Sequence, residues 1–374
     1  MRYYIIAGEA SGDLHGSNLM KELIKIDTIA TIRCWGGDLM QQAGGELVKH
    51  YKDLAFMGFL EVVKNLGTIM RNLRLCKDDI VQFKPDTLIL IDYPGFNLRI
   101  AEWARKQGIR VIYYISPQVW AWKENRVKII KQCVDKMLVI LPFEREFYRK
   151  WDYEVQYVGH PLLEVIDSEK KNALAIHPTT ASPLNEKNII AILPGSRKQE
   201  VEKKLPLMLE ASQHFQDFNF IVAKASSLDD SFYEELMRDY PKVRSVRNKT
   251  YSLLMRAKAA LVTSGTATLE TALFDVPQVV CYKGSNISYQ IAKRLVKIKY
   301  ISLVNLILDK PIVKELIQNE LTVENIQKEL NRILYDREAL HEMKQDYRSL
   351  WNLLSEGGHA SAKAARSIID FLRH

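Results

Sequence analysis

Short apolar runs alternate with helically spaced segments along almost the whole chain, and most runs end in a cluster of glycine, proline or small polar residues. Residues 1–7, 31–35, 87–91, 111–115 and 136–140 read as strands of a first half, which 155–161 closes. Residues 188–193, 218–223, 259–262 and 278–282 read as strands of a second half. The run 87–91 is apolar on both faces, as a central strand of a parallel sheet must be. Strands and helices in alternation predict an α/β fold with two Rossmann-like domains. Segment 168–187 is polar, contains Pro178 and Pro183, and lacks strong periodicity, so it reads as the linker. Residues 322–354 have helical spacing, Gly357-Gly358 breaks it, and 360–372 form a last helix expected to cross back. The domains expected are 1–167 plus 356–374, and 188–355.

One helical segment carries an unusual surface. Over 57–75, Phe59, Val62, Val63, Leu66, Ile69, Met70 and Leu73 share a face, with Lys64, Arg71 and Arg74 beside or opposite it. Such a stripe suits a helix packed on a core. It equally suits a face that meets lipid or acyl chains, flanked by cations for anionic headgroups.

Length and charge narrow the picture. A chain of 374 residues exceeds the roughly 250–300 at which single cores stop growing, in keeping with two domains. Cys34, Cys76, Cys133 and Cys281 are scattered without a Cys-x-x-Cys pair, which argues against a disulfide framework or a zinc site and for a reducing compartment. The start of the chain is too short of apolar residues for a secretory signal, and no run approaches the ~20 residues that span a bilayer. A cytoplasmic protein is the expectation. The net charge of +8 points to an anionic partner: nucleic acid, a phospholipid surface or a phosphorylated substrate.

Candidate chemistry gathers at the strand ends. Gly8-Glu9-Ala10-Ser11-Gly12-Asp13-Leu14-His15 follows the first strand, reads as a glycine turn before a helix at 17–26, and packs Glu9, Ser11, Asp13 and His15 into seven residues. An ordinary βα turn with a capping Ser or Asp accounts for this segment taken alone. Asp92 ends the strand 87–91 in the same crevice of a doubly wound sheet, where ligands bind. A carboxylate held ionised there can take a proton from an attacking hydroxyl. Trp120 and Trp122 follow a Ser116-Pro117 turn, as a stacking wall for a sugar or base or as a cover for the sheet edge.

In the second half, Pro194-Gly195-Ser196-Arg197 feeds a helix start, offering backbone donors and a guanidinium suited to phosphate oxygens. Thr263-Ser264-Gly265-Thr266 is a second small-residue loop able to hold a diphosphate, and Glu270, a turn further on, could hold a ribose diol or simply face solvent. Lys283 could add charge to the same site, and Asn305, Glu315 and Gln318 surround an irregular segment. Neither the dinucleotide fingerprint nor a Walker lysine is present, and Asp78-Asp79 and Asp229-Asp230 lie in contexts unlike a metal site.

Taken in order, these motifs resemble a known family. Gly8–Asp13, Met57-Gly58-Phe59 with Glu61-Val62, Pro85-Asp86 through Asp92 to Phe96-Asn97, Ser116-Pro117 with Trp120-Ala121-Trp122, Val158–Pro161, Leu193–Arg197 with Glu200, and Ser264–Glu270 resemble the lipid-A-disaccharide synthases of Gram-negative bacteria. The resemblance implies a GT-B fold, two Rossmann-like domains facing a central cleft, with the acceptor held by the first and the UDP-sugar by the second. It implies transfer of 2,3-diacylglucosamine from UDP to the 6-hydroxyl of 2,3-diacylglucosamine 1-phosphate, with inversion and without a metal or other cofactor. By the same resemblance Asp92 is the general base; His15 and Asp13, in the neighbouring loop, are the reserve candidates. Arg197 contacts the diphosphate, assisted by backbone amides and Lys283, and Glu270, Asn305, Glu315 and Gln318 line the UDP site. The acylated substrates favour the lipid-facing reading of 57–75, hence peripheral attachment to the inner membrane, and the resemblance further suggests a homodimer. One departure is Leu303-Val304-Asn305, where the family usually has Leu-Pro-Asn. Another UDP-sugar enzyme of this fold, an epimerase or a lipid-linked-sugar transferase, would share the loops. A non-catalytic binder would not need Asp92 with Arg197, and the basic residues are too dispersed, with no recognisable motif, for a nucleic-acid partner.

Overall fold

The computed structural model describes residues 1–54, 66–122, 124–175, 183–284 and 299–373. Its strands in chain order are β1 (Arg2–Ala7), β2 (Thr31–Gly36), β3 (Glu46–His50), β4 (Thr87–Ile91), β5 (Arg110–Tyr114), β6 (Lys136–Val139) and β7 (Gln156–Tyr157). They continue with β8 (Ile189–Leu193), β9 (Asn219–Lys224), β10 (Arg244–Arg247), β11 (Ala257–Thr263), β12 (Gln278–Tyr282) and β13 (Lys314–Ile317). The first seven form one parallel sheet in the order β3-β2-β1-β4-β5-β6-β7, and the other six form a second in the order β10-β9-β8-β11-β12-β13. Both are doubly wound, with the strand order reversing between β1 and β4 and between β8 and β11.

The chain divides into two compact units, Met1–Pro161 with Leu354–His374, and Leu162–Leu353. The first boundary lies earlier than the expected residue 167. Leu162–Ala175 is a helix rather than the start of a linker, and it packs on the second unit's helices Thr250–Leu254 and Thr266–Leu273. Lys170 fixes it there, donating to the Leu273 carbonyl at 3.1 Å and lying over the Trp351 ring. The polarity of this segment reflects one exposed helix face.

In the first unit the period-two alternation of β1 divides its side chains between two cores. Tyr4 and Ile6 join a cluster with Leu73, Cys76 and Ile80, while Tyr3, Ile5 and Ala7 join one with Leu19, Leu23, Ala364 and Ile368. The last helix, Ala360–Arg373, lies against the helix Ala10–Ile26 in that second cluster. Where the chain returns, the backbones of Gly357 and Gly159 touch: a Cβ on Gly357 would stand 2.2 Å from the Gly159 Cα, so neither position admits a side chain.

Three strands escaped the sequence reading: β3, β10 and β13. Each is a sheet edge with charged residues in it, so its apolar signal is short and broken. Glu315, expected beside an irregular segment, lies in a strand, since Lys314–Ile317 pairs in parallel with β12. The helix expected from residue 17 starts at Ala10, so Asp13 and His15 are helical.

The helix Leu66–Phe83 covers the later part of the amphipathic segment. Its inward stripe is Ile69, Leu73, Cys76 and Ile80, so Ile69 packs against the core instead of facing lipid. The outward stripe includes Met70, 61% exposed, and Val81, 55% exposed, with the exposed Arg74 between them. Tyr4 orients the helix by donating to Asp79 Oδ2 at 2.6 Å, and Arg33 pairs with Asp79 Oδ1 at 3.1 Å. Phe59, Val62, Val63 and the side chain of Leu66 lie outside the described residues.

Asp13 is a structural carboxylate. Its oxygens accept from the N–H groups of Gly37 at 2.8 Å, Leu39 at 3.1 Å and Met40 at 3.0 Å, satisfying the start of the helix Asp38–Gln42. Asp13→Ala strands these donors, and the expected loss is about 2–3 kcal/mol of unfolding free energy in urea titration. Unchanged stability with abolished turnover would instead return Asp13 to the catalytic candidates.

Candidate active site

Register sets the geometry of the first unit's crevice. Ala7 pairs with Ile91, so Gly8-Glu9 and Asp92 leave the sheet side by side. Asp92 has φ 43° and Tyr93 φ 48°, two consecutive left-handed residues without glycine, a conformation that costs about 1–3 kcal/mol each. The surroundings hold them there. Asn97 Nδ2 donates to the Asp92 carbonyl at 2.8 Å and to that of Ile91 at 3.2 Å, and the Tyr113 hydroxyl donates to the Asp92 carbonyl as well. Tyr93 opens the helix Pro94–Lys106, and its ring lies so close to Gly8 that a Cβ there would come within 2.3 Å. The main chain of Asp92 is thus pinned, and burial raises its carboxyl to about 7, with the Glu9 charge adding to the effect.

His15 is 9% exposed, and its Nδ1 has no hydrogen-bond partner. Burial lowers it to about 4, and burial together with His15 lowers the neighbouring His160 to about 3. Both imidazoles are neutral near pH 7. Glu9 precedes the helix in extended conformation and is half-buried, whereas Ser11 is exposed on the first turn. Trp120 is buried edge-on to Phe143 at 4.9 Å, which is the covering role, and the Trp122 side chain lies outside the described residues.

Glu144 is a buried acid that sequence reasoning passed over. It sits 1% exposed past the end of β6, accepting from the Leu141 N–H at 2.9 Å and the Ile140 N–H at 3.3 Å, and burial raises it to about 7. Its signal was Leu141-Pro142-Phe143-Glu144 directly after an apolar strand, where the fold keeps its ligands.

The second unit repeats the plan. Leu193 pairs with Val262, so the loops 194–197 and 264–266 emerge together. They line one cavity of about 430 Å³ with Glu200, Lys224, Thr250 and Glu270. Arg197 is exposed at its mouth, and Gly265 caps the helix Thr266–Leu273, whose first N–H groups suit an anion. The Ser264 hydroxyl donates to the Ile301 carbonyl at 2.8 Å, so this residue contributes its backbone. Glu270 accepts from the Tyr251 hydroxyl at 2.9 Å, and burial raises its pKa.

Four expected binding residues do not line this cavity. Glu315 accepts from the N–H groups of Ile301 and Ser302, the Ser302 hydroxyl and Asn305 Nδ2, all within 3.2 Å. Asn305 Oδ1 in turn accepts from the N–H groups of Ile312 and Val313. Together they form a bracket that ties the start of the helix Leu303–Leu308 to the turn before β13. Gln318 accepts from the Gly284 N–H at 2.9 Å, and Lys283 is half-buried just beyond β12. Among the described residues, no cluster of His, Cys, Asp and Glu could hold a metal ion.

The sequence profile described as lipid-A-disaccharide synthetase matches residues 3–369. The lipid-A-disaccharide synthase of Geobacter metallireducens is 37% identical over 376 residues, covering 99% of this chain and 97% of the relative. That of Trichlorobacter lovleyi is 39% identical over 342 residues, covering 90% and 89%. Among solved structures, the UDP-GlcNAc 2-epimerase from Neisseria meningitidis bound to UDP-GlcNAc matches with TM-score 0.68 at 13% identity, over 100% of both chains. The glycotransferase of kitacinnamycin matches with TM-score 0.67 at 12% identity, over 99% of both. These structures share the GT-B fold. With a profile match along nearly its whole length and relatives at these identities, the chain belongs to the lipid-A-disaccharide synthase family of glycosyltransferases.

Proposed function

We propose that this chain transfers 2,3-diacylglucosamine from UDP to the 6-hydroxyl of 2,3-diacylglucosamine 1-phosphate, with Asp92 as general base. The acceptor oxygen attacks the anomeric carbon, the bond from that carbon to the UDP oxygen breaks with its electron pair leaving on UDP, and the hydroxyl proton passes to Asp92. An α-linked donor and a β-linked product require one inversion, so one base suffices. The observation that carries this reading is Asp92 itself, whose main chain is held by Asn97 and Tyr113 while burial keeps its carboxyl near neutrality. The diphosphate belongs in the cavity of the second unit, against Arg197 and the amides of 264–266.

UDP release in detergent micelles tests the reaction. Asp92→Asn should lower kcat by roughly 10²–10⁴-fold and leave UDP affinity unchanged. Normal turnover in that variant excludes Asp92 as base, and absence of UDP release by the native protein with both acylated substrates points to another UDP-sugar enzyme.

The base works ionised, so kcat/KM should fall as pH drops below about 7. Because Glu9 helps raise Asp92, Glu9→Gln lowers the Asp92 pKa and should move the acid limb of the profile to lower pH. An unmoved limb would show that another group sets it.

Acyl chains on both proposed substrates support peripheral attachment at the cytoplasmic face of the inner membrane. Support comes from the outward stripe of the helix Leu66–Phe83, where Met70 and Val81 stand exposed among Arg71, Arg74 and Lys77. Among the described residues no helix is long and apolar enough to cross a membrane. A Met70→Ser, Arg74→Ser double variant should float less with anionic liposomes than the native chain; equal flotation would rule this stripe out as the contact.

A further inference from the structure

Lys204 has no part in the chemistry above, yet it is a charged group in an expensive place. Its side chain projects from the helix Lys198–Ser212 and is 1% exposed. Its ammonium donates to the Thr263 hydroxyl and lies 3.6 Å from Glu200 Oε2. A buried ammonium is costly unless paired, so its partner indicates its purpose. That partner lines the cavity: Glu200 and Thr263 are both on its wall, as are Gly195 and Arg197. The other carboxylate oxygen, Glu200 Oε1, is 3.5 Å from Arg197 Nη1. Glu200 packs tightly under the loop, since a Cβ on Gly195 would stand 2.9 Å from its Oε2.

Three charges therefore run in a line from the open cavity to the core: Arg197, Glu200 and Lys204. The middle one is negative, in the wall of a cavity shaped for an anion. Left alone it would repel a diphosphate and hold Arg197 to itself. Burial pulls the Lys204 ammonium below its ordinary range, and the charge of Glu200 opposes that pull.

We propose that Lys204 neutralises Glu200 from beneath the cavity, so that Arg197 is released as a net positive charge to the diphosphate of the bound nucleotide. Lys204 is thus a positioning residue, acting through Glu200 and Arg197 without touching the ligand. This rests on the reading of the cavity as the UDP site. The consequence is selectivity for the charged part of the ligand: the diphosphate feels the balance of the three groups, and the nucleoside does not.

The test is calorimetric titration of the full chain with UDP and with uridine. Lys204→Met, similar in length and apolar, leaves Glu200 uncompensated and should weaken UDP binding roughly tenfold with uridine binding unchanged. Glu200→Gln removes the negative charge between the two cations and should tighten UDP binding several-fold. The double variant K204M/E200Q should return to near the native value for UDP. Equal UDP binding by native and K204M overturns the proposal, as does a parallel loss of UDP and uridine binding, which would mean that Lys204 only supports the fold. If K204M does not fold, Glu200→Gln decides, because its side chain is 35% exposed and failure to tighten UDP binding is equally fatal. A native chain that binds no UDP fails earlier, in the reading of the cavity itself, and takes this proposal with it.

Discussion

Parallel strands buried on both faces leave no water to complete their backbone hydrogen bonds, and the rest of the structure follows from how those bonds end. Within the sheets, neighbouring strands satisfy them. At the carboxyl ends the ladder stops while burial continues, so side chains and helix starts must take over. In the first unit this falls to Asn97 and Tyr113 on the Asp92 carbonyl, and to Asp13 on the amides of the helix Asp38–Gln42. In the second, Asn305 serves the turn before β13 and Glu315 the amides of Ile301 and Ser302. The start of the helix Thr266–Leu273 lines a cavity, where a ligand can meet its first amides.

Because the strand order reverses between β1 and β4 and again between β8 and β11, each unit has one place where two strand ends diverge. The two places carry opposite chemistry. The first gathers acids, Glu9 and Asp92, with Glu144 past a nearby strand end, and burial lifts Asp92 and Glu144 toward neutrality. The second gathers Arg197 and backbone donors, with its acids held by partners: Tyr251 on Glu270, Lys204 on Glu200. A proton acceptor and an anion cradle are the two functions that an inverting transfer from a nucleotide sugar divides between acceptor and donor.

Much of this was legible before any coordinates. The central strands announce themselves because burial on both faces forces unbroken apolar runs, and the glycine and small-residue loops mark where those runs end. Edge strands were not legible, since β10 is Arg-Ser-Val-Arg and β13 is Lys-Glu-Leu-Ile, with one buried residue each. Nor could spacing tell that Ile69 points inward while Met70 points outward, because neighbours on a helix differ by 100° and both belong to the apolar stripe of the sequence. For Asn305 and Glu315 the residue types were right for binding a ligand. Their partners here are main-chain and side-chain groups of the same unit, and nothing in a sequence distinguishes those from a nucleotide.

The same distinction separates the two aspartates of the first unit's crevice. Asp92 follows the end of β4 and Asp13 lies in the first turn of the helix after the adjacent β1, and by composition either could accept a proton. Asp13 gives both carboxylate oxygens to three backbone donors, and a proton there would break the start of a helix. Asp92 is bound through its main chain instead: the carbonyl takes the hydrogen bonds of Asn97 and Tyr113, and a left-handed backbone lifts the side chain out of the ladder. The hydrogen bonds of Asn97 and Tyr113 do not pass through its carboxyl, which accepts from the Tyr93 backbone. A base must change charge once in every turnover while its position stays fixed, and of the two residues only Asp92 is anchored in a way that allows both.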